Sequence, residues 1–436
     1  MKTNIHKSDI LLFLVILLFL NAIIYIDVRH FAVRGLRSQL EESIELSSSI
    51  VHEHRLPQTA FYPPGVPILL AAVRFLGCTN INPYVFNGIM LNLGAFVFYL
   101  LSRVVIGSLF CSFAAVLLMI LNPYFVCTAL LSRDGATEYF FTALLFLILF
   151  TFYKQTSVSR KSVIFLFLAL FLTAAALGLV RVTGFFVAFA IFAVSIFIHK
   201  SSKLFFGLLT AAFACFTLLF MLYNYALVGS FSLSTNSGIN LYIGNHPLYL
   251  HGHPHYDIDV FLGERVESEL KNTGVDSMSE SESDAYYRKK AEEFIQEDIL
   301  GFVYRILVKS VWHWFNVEII PNFTVSAHVD GNSDTIVIQT RINLLTSLSY
   351  VIYKLAYLPL FIISIVMLCK GRMDRHLLVF YMPYLALWPI VVLTFPDTRF
   401  KIVAEVCALI PMMCCLCGTM PRIVGRGRPL ANPEGP

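Results

Sequence analysis

Long apolar blocks recur along this 436-residue chain and constrain it more than any other feature. A helix crossing the ~30 Å hydrocarbon core needs about 17–25 apolar residues, because no water is present there to satisfy an open backbone. Blocks of that kind fall at about 10–26, 84–102, 104–125, 139–153, 162–180, 182–198, 204–228, 345–369, 377–395 and 402–420. Only 14% of residues are charged, against roughly a quarter in soluble proteins. The expected fold class is therefore all-α and polytopic, with about ten transmembrane helices. No small-residue cleavage site follows the block at 10–26, so it reads as a retained helix and not a removed signal.

Charge sets the expected sidedness. With the N-terminus cytoplasmic, the cytoplasmic pieces carry 14 of the 32 Lys and Arg but only three of the 28 acids, which leaves 18 basic and 25 acidic residues on the other side. Cytoplasmic loops are the basic ones, so both termini are placed in the cytoplasm. The small net charge of +4 then reports topology and no nucleic-acid surface. The stretch "PPGVPILLAAVRFLG" must not cross, because a crossing would invert every later loop. Its prolines, Arg74 and short length suit an interfacial helix.

Residues 27–84 thus form one extracytoplasmic loop with interfacial helices, inside an N-terminal transmembrane region of 1–228. A long extracytoplasmic segment, 229–341, and C-terminal transmembrane helices with a short cytoplasmic tail, 342–436, complete the expected organisation.

Polar residues concentrate on that outer side. Asp27 stands where the first helix leaves the membrane, and a carboxylate there is costly unless solvated, paired or functional. Glu41, Glu42 and Glu45 share nearly one helix face. In "FYPPGVP" the prolines lock φ and push the preceding residues extended, a stretch that positions and does not react. Asp134 and Glu138 are four apart at the start of the fourth span, as helix caps or as groups facing a hydroxyl or a cation. Arg181 occupies a tight turn in "LGLVRVTG" and needs an anion, either Asp134 or a ligand phosphate.

His246, His251, His253 and His255 precede Asp257 and Asp259 and could hold a divalent metal, but the spacing matches no closed structural site, and no metal is assigned. Trp312 and Trp314 lie on an amphipathic helix of the kind that sits at the interface. Asn322, Phe323 and Thr324 form a glycosylation acceptor pattern. Arg399 and Lys401 open the last span and, with Arg181, make a cationic patch suited to a lipid phosphate; the alternative is pairing with Asp397 and Glu405. Lys354 is expected to snorkel out of its span. The nine cysteines lie mostly in apolar blocks and form no disulfide framework and no zinc spacing. They read as small buried hydrophobes, or, for Cys414, Cys415 and Cys417, as acylation sites.

The order of these features resembles the C-type (GT-C) integral membrane glycosyltransferases, in particular the protein O-mannosyltransferase and aminoarabinose transferase branch. The likeness covers most of the chain. It rests on the acidic first outer loop, "YPPGVPILLA", "NPYFVCTALLSRDGATEYFF", an Arg after the fifth span, "GINLYIGNHP" and "TRFKIVAE". The resemblance implies inverting transfer of a sugar from a polyprenyl- or dolichyl-phosphate donor to a hydroxyl on a protein, lipid or glycan at the outer face. No resident cofactor is required.

An acid of the first outer loop would be the general base, for which Asp27 and Glu41 are the candidates. The family shows Asp followed four residues later by Tyr, about 20 residues before Pro-Pro; at that spacing this chain has Glu41 and no Tyr. Glu138 matches the second-loop acid, with Asp134 beside it. Arg181, Arg399 and Lys401 match the lipid-phosphate side, and Tyr62, Asn240, Asn245 and His246 match family positions. The compartment is the bacterial plasma membrane or the endoplasmic reticulum, and the partners are membrane lipids, the donor and the acceptor.

Two other readings stand beside the enzyme. A transporter or lipid flippase needs polar or broken helices within the membrane and often repeated halves. A noncatalytic scaffold on the same fold needs none of the site chemistry.

Overall fold

A computed structural model describes residues 14–15, 17–18, 20–21, 34–78, 82–154, 159–247, 249, 273–315, 326–329, 336–339, 344–394 and 398–418. The first loop contributes α1 (Arg34–Glu53) and α2 (Gly65–Phe75). The chain continues through α3 (Pro83–Ile106), α4 (Leu109–Leu121), α5 (Pro123–Leu131), α6 (Gly135–Lys154), α7 (Arg160–Val180), α8 (Val182–Ile198) and α9 (Lys203–Val228). Then come α10 (Ser237–Asn245), α11 (Glu280–Glu297), α12 (Ile299–Phe315), α13 (Leu344–Cys369), α14 (Met382–Leu393, preceded by a 3-10 turn over Arg375–Tyr381) and α15 (Thr398–Leu416). One antiparallel pair, β1 (Ser326–Val329) with β2 (Ile336–Gln339), departs from the all-α expectation.

Local chemistry explains the main boundaries. Asn82 caps α3 by accepting from the Tyr84 N–H at 2.8 Å, with Pro at the first helical position. Gly107 ends α3 in the left-handed conformation, φ 78°, which costs glycine little because it has no Cβ. Ser108 then caps α4. At Asn122–Pro123 the backbone turns extended, φ −82° and ψ 101°, and the Asn122 side chain caps the next helix, α5. Proline cannot donate into the preceding turn. The single span expected at 104–125 is therefore two short helices meeting at Asn122.

Among the described residues, six helical segments are long and apolar enough to cross a membrane: Pro83–Ile106, Gly135–Lys154, Arg160–Val180, Lys203–Val228, Leu348–Cys369 and Arg375–Leu393. The chain is a helical membrane protein, but the expected count of about ten spans is not reproduced among the described residues. The helices α4 and α8 are apolar but shorter. The block at 402–420 falls in α15, which is not among the six, and the block at 10–26 lies mostly outside the described residues. The 11 residues of α2 reach about 16 Å at 1.5 Å per residue, too short to cross.

The spans pack around one aromatic-rich core. Phe146 and Phe150 of α6 stack on Phe380 at 4.8 and 4.7 Å between centroids. Contacts define two ends of the bundle. At one, here the loop end, the residues around Tyr62, Arg133, Asp134, Glu138 and Arg181 gather. The opposite end holds Lys154 bonded to the Val104 carbonyl, Arg103 bonded to the Gly107 carbonyl, and stacked Tyr153 and His199.

Cys111, at the start of α4, is disulfide-bonded to Cys417, just past α15, at this same end. The expectation of no disulfide fails for this pair: the two helix ends are 306 residues apart in sequence, and only packing makes them neighbours. Cys407 and Cys414 are buried and free, as small hydrophobes.

Candidate functional site

Four separate stretches bring polar side chains to the loop end. Arg181 holds an extended backbone, φ −151° and ψ 135°, between α7 and α8. Its Nη1 donates to Glu138 Oε2 at 2.7 Å, and its Nε lies 3.4 Å from Asp134 Oδ2. Glu138, in the first turn of α6, also accepts from Thr183 Oγ1 at 3.2 Å and is only 4% exposed. Arg181 was expected to meet Asp134 or a phosphate; it spans both acids. Asp134 is the more accessible of the two, its side chain 23% exposed.

Next to Asp134, Arg133 lies with its guanidinium 3.8 Å over the Tyr62 ring and its Nη1 3.7 Å from Glu42 Oε2 of α1. It is 5% exposed. Burial lowers its pKa, opposed by Asp134, Tyr62 and Glu42; a guanidinium starts so far above neutrality that it stays charged. Arg133 was not singled out in the sequence. The available signal was a basic residue beside an acid in a loop that the positive-inside rule expects to be poor in basic residues.

The first loop is clamped in place from several sides. A Cβ on Gly65 would lie 2.5 Å from the Leu179 carbonyl oxygen of α7, so only glycine allows α2 to start so near the Arg181 turn. The Ala60 N–H donates to Glu280 Oε2 at 3.0 Å, and its carbonyl accepts from the Thr235 N–H at 3.0 Å. Asn87 donates to the carbonyls of Leu130 and Ser132 at 3.0 and 2.9 Å, which fixes the turn that presents Arg133 and Asp134.

A second polar cluster lies within the bundle. Glu405 accepts from Lys354 Nζ at 3.2 Å, the Tyr353 hydroxyl at 3.0 Å and Asn122 Nδ2 at 3.2 Å. Lys354 thus pairs inward and does not snorkel, and Glu405, expected as a partner for Arg399 or Lys401, takes Lys354. Lys401 is fully buried one turn earlier, its Nζ 3.2 Å over the Trp312 ring. It is a buried cation and not the surface group expected.

At the junction of α10, α12 and α14, Lys309 donates to the carbonyls of Gly244 and Thr394 at 2.6 Å each and of Val392 at 3.3 Å. Burial pushes Lys309 down to about 7 and the neighbouring His313 down to about 4. Asn245 donates to the Leu241 and Leu393 carbonyls at 2.8 Å each. His246 packs edge-on against Tyr242 and Phe294. Asn245 and His246 therefore fasten α10 to its neighbours. Asn240, in α10, donates its N–H to the Asn236 carbonyl at 3.2 Å.

Of the expected site residues, the geometry unites Tyr62, Asp134, Glu138 and Arg181 around Arg133. It puts Lys401 in the α12–α15 contact and Asn245 and His246 at the α10 junction. Asp27 lies outside the described residues, and so do the side chains of Glu41 and Arg399. Among the described residues no three His, Cys, Asp or Glu side chains gather as a metal ion would need; His251, His253, His255, Asp257 and Asp259 lie outside them.

The fold and these clusters define a helical membrane protein with a charged site at one end. Comparison of the chain with protein-family models, with curated proteins and with solved structures gives no match.

Proposed function

We propose that the chain is a membrane glycosyltransferase that moves a sugar from a polyprenyl-phosphate donor to a hydroxyl acceptor, with inversion. The reading takes the loop end as extracytoplasmic, as the charge asymmetry of the loops implies. The observation that carries it is the convergence of Glu42, Asp134 and Glu138 with Arg133 and Arg181 at one end of the apolar bundle.

Such a reaction needs a carboxylate to take the acceptor proton as its oxygen attacks the anomeric carbon. It also needs cations for the charge that grows on the departing phosphate. Glu138 is committed to Arg181 and Thr183, which makes it a positioning residue. Asp134, partly exposed beside it, is the second-loop carboxylate placed to meet an acceptor, and Asp27 and Glu41 remain the first-loop candidates for the base. Arg399 is assigned to the lipid-phosphate side, while Lys401, buried over Trp312, is left out of it.

Transfer of radiolabelled sugar from polyprenyl-phosphate donors tests this in membranes carrying wild type, Asp27→Asn, Glu41→Gln or Asp134→Asn. Loss of the base should cut transfer about 100-fold or more while the protein stays folded. If wild type consumes no donor from a broad panel, the reading fails.

A second reading, a transporter or flippase, is favoured by the helix break at Asn122 and the ion pair of Lys354 with Glu405 inside the bundle, because intramembrane ionisable pairs and broken helices mark transport pathways. Movement of lipid across proteoliposomes that is abolished by Lys354→Met, with no sugar transfer, would select it.

A further inference from the structure

We propose that Arg133 is an anion-binding site, for a phosphate or carboxylate group, and that Glu42 of α1 occupies it as a displaceable internal counter-ion. Three observations carry this. The first is the seat of the guanidinium over the Tyr62 ring, its carbon 3.8 Å from the centroid. A guanidinium held by a ring face still has N–H donors to offer an oxyanion. The second is that Nη1 of Arg133 is buried and makes no hydrogen bond among the described residues. A buried donor without a partner is destabilising, and an entering oxyanion would relieve it. The third is the nature of the acid in front of it. Glu42 stands at 3.7 Å, beyond hydrogen-bond range, and its side chain is 42% exposed, so a rotamer change withdraws it into water.

The neighbouring arginine lacks this character. Arg181 is held between Asp134 and Glu138, which neutralise it and occupy its N–H groups. The ion-pair partner of Arg133, Glu42, sits on a different element and is half exposed, while Asp134 beside Arg133 is shared with Arg181. The helix that carries Glu42 is tethered elsewhere: Arg74 of α2 bonds to the Ile44 carbonyl and to the Ser48 hydroxyl. Release of Glu42 therefore leaves α1 docked.

Within the glycosyltransferase reading, on which this assignment of the ligand rests, the anion is the donor's lipid phosphate. A fatty carboxylate is the other source of the same chemistry.

The test is calorimetric titration of the full chain in detergent micelles with farnesyl phosphate and, separately, with a carboxylate of the same chain length. Wild type is compared with Glu42→Gln, Arg133→Gln and Arg133→Lys. Glu42→Gln, which removes the competing charge and is expected to fold, should tighten binding about 5-fold or more. Arg133→Gln should weaken it about 10-fold or more, with Arg133→Lys between, since a lysine keeps the charge but loses the bidentate edge. Preference for the phosphate or for the carboxylate names the source.

Unchanged affinity in Glu42→Gln, or wild-type affinity in Arg133→Gln with an unchanged unfolding temperature, overturns the proposal. Sugar transfer on the same preparations separates the two readings. Binding that follows these substitutions in a protein that transfers no sugar sinks the enzyme alone. Transfer by a wild type whose binding ignores both substitutions sinks the Arg133 site alone.

Discussion

Arg181 and Glu138 meet at 2.7 Å across 43 residues of sequence, and Thr183 completes the acceptor side of the same carboxylate. The pair ties the α7–α8 turn to the first turn of α6. It thereby fixes the position of Asp134, which shares Arg181 at 3.4 Å.

Removing one partner of that pair should be costly. In Arg181→Gln, Asp134 and Glu138 face each other without their common cation, and an uncompensated buried charge destabilises by about 3–5 kcal/mol. The unfolding midpoint in detergent should fall accordingly, and the double variant with Glu138→Gln should lose less than the sum of the singles. A loss below about 1 kcal/mol would mean the pair behaves like a solvated surface bridge.

Lys354 and Glu405, at 3.2 Å with side chains 14% and 3% exposed, give a related expectation inside the bundle. Lys354→Met takes away the cation 3.2 Å from Glu405 and should destabilise by about 3 kcal/mol or more. Lys354→Met with Glu405→Gln should recover most of the loss, since an apolar replacement of a whole buried pair is often neutral. Equal stability of Lys354→Met and wild type would refute the pairing.

Lys309 makes folding depend on pH in a defined window. Burial lowers it from 10.5 to about 7. Between those values the unfolded chain holds a proton that the folded chain has released, so stability rises with pH from about 7 toward 10.5. The deficit is fully present below 7. A neutral amine still has two N–H donors for the two carbonyls at 2.6 Å, Gly244 and Thr394. Unfolding midpoints at pH 7, 8 and 9 should climb in wild type and climb less in Lys309→Met. Parallel curves would show that another group carries the dependence.

The Cys111–Cys417 bond closes a loop of 306 residues. Denatured protein prepared with its free thiols blocked should accept two maleimide tags only after reduction, and neither in the Cys111→Ser/Cys417→Ser variant. Loss of the cross-link should cost about 2–4 kcal/mol. If the end is cytoplasmic, as the charge asymmetry of the loops leads one to expect, a disulfide there would be unusual. Finding the pair reduced in freshly blocked membranes would mean the bridge does not form in the cell.

Much of the bundle was legible because apolar length is a local property. Pro83–Ile106, Gly135–Lys154, Arg160–Val180, Lys203–Val228 and Leu348–Cys369 correspond to expected spans within a few residues. The short α2 appears as a helix too short to cross. The break at Asn122–Pro123 was written in the sequence as a cap followed by proline, yet the surrounding apolar run concealed it. At the site, Asp134, Glu138 and Arg181 were visible as polar residues in loops, while their mutual bonding was not.

Sequence by itself determined the solvent this chain folds in and where its helices start and stop, because hydrophobic length, caps and prolines act within a few residues. Tertiary structure alone decided which charges meet. Lys354 turns inward to Glu405, Glu138 is committed to Arg181, and Arg133 is left against a half-exposed glutamate. Each outcome depends on partners tens to hundreds of residues away, since a buried charge is stabilised only by the groups that packing brings within hydrogen-bond reach.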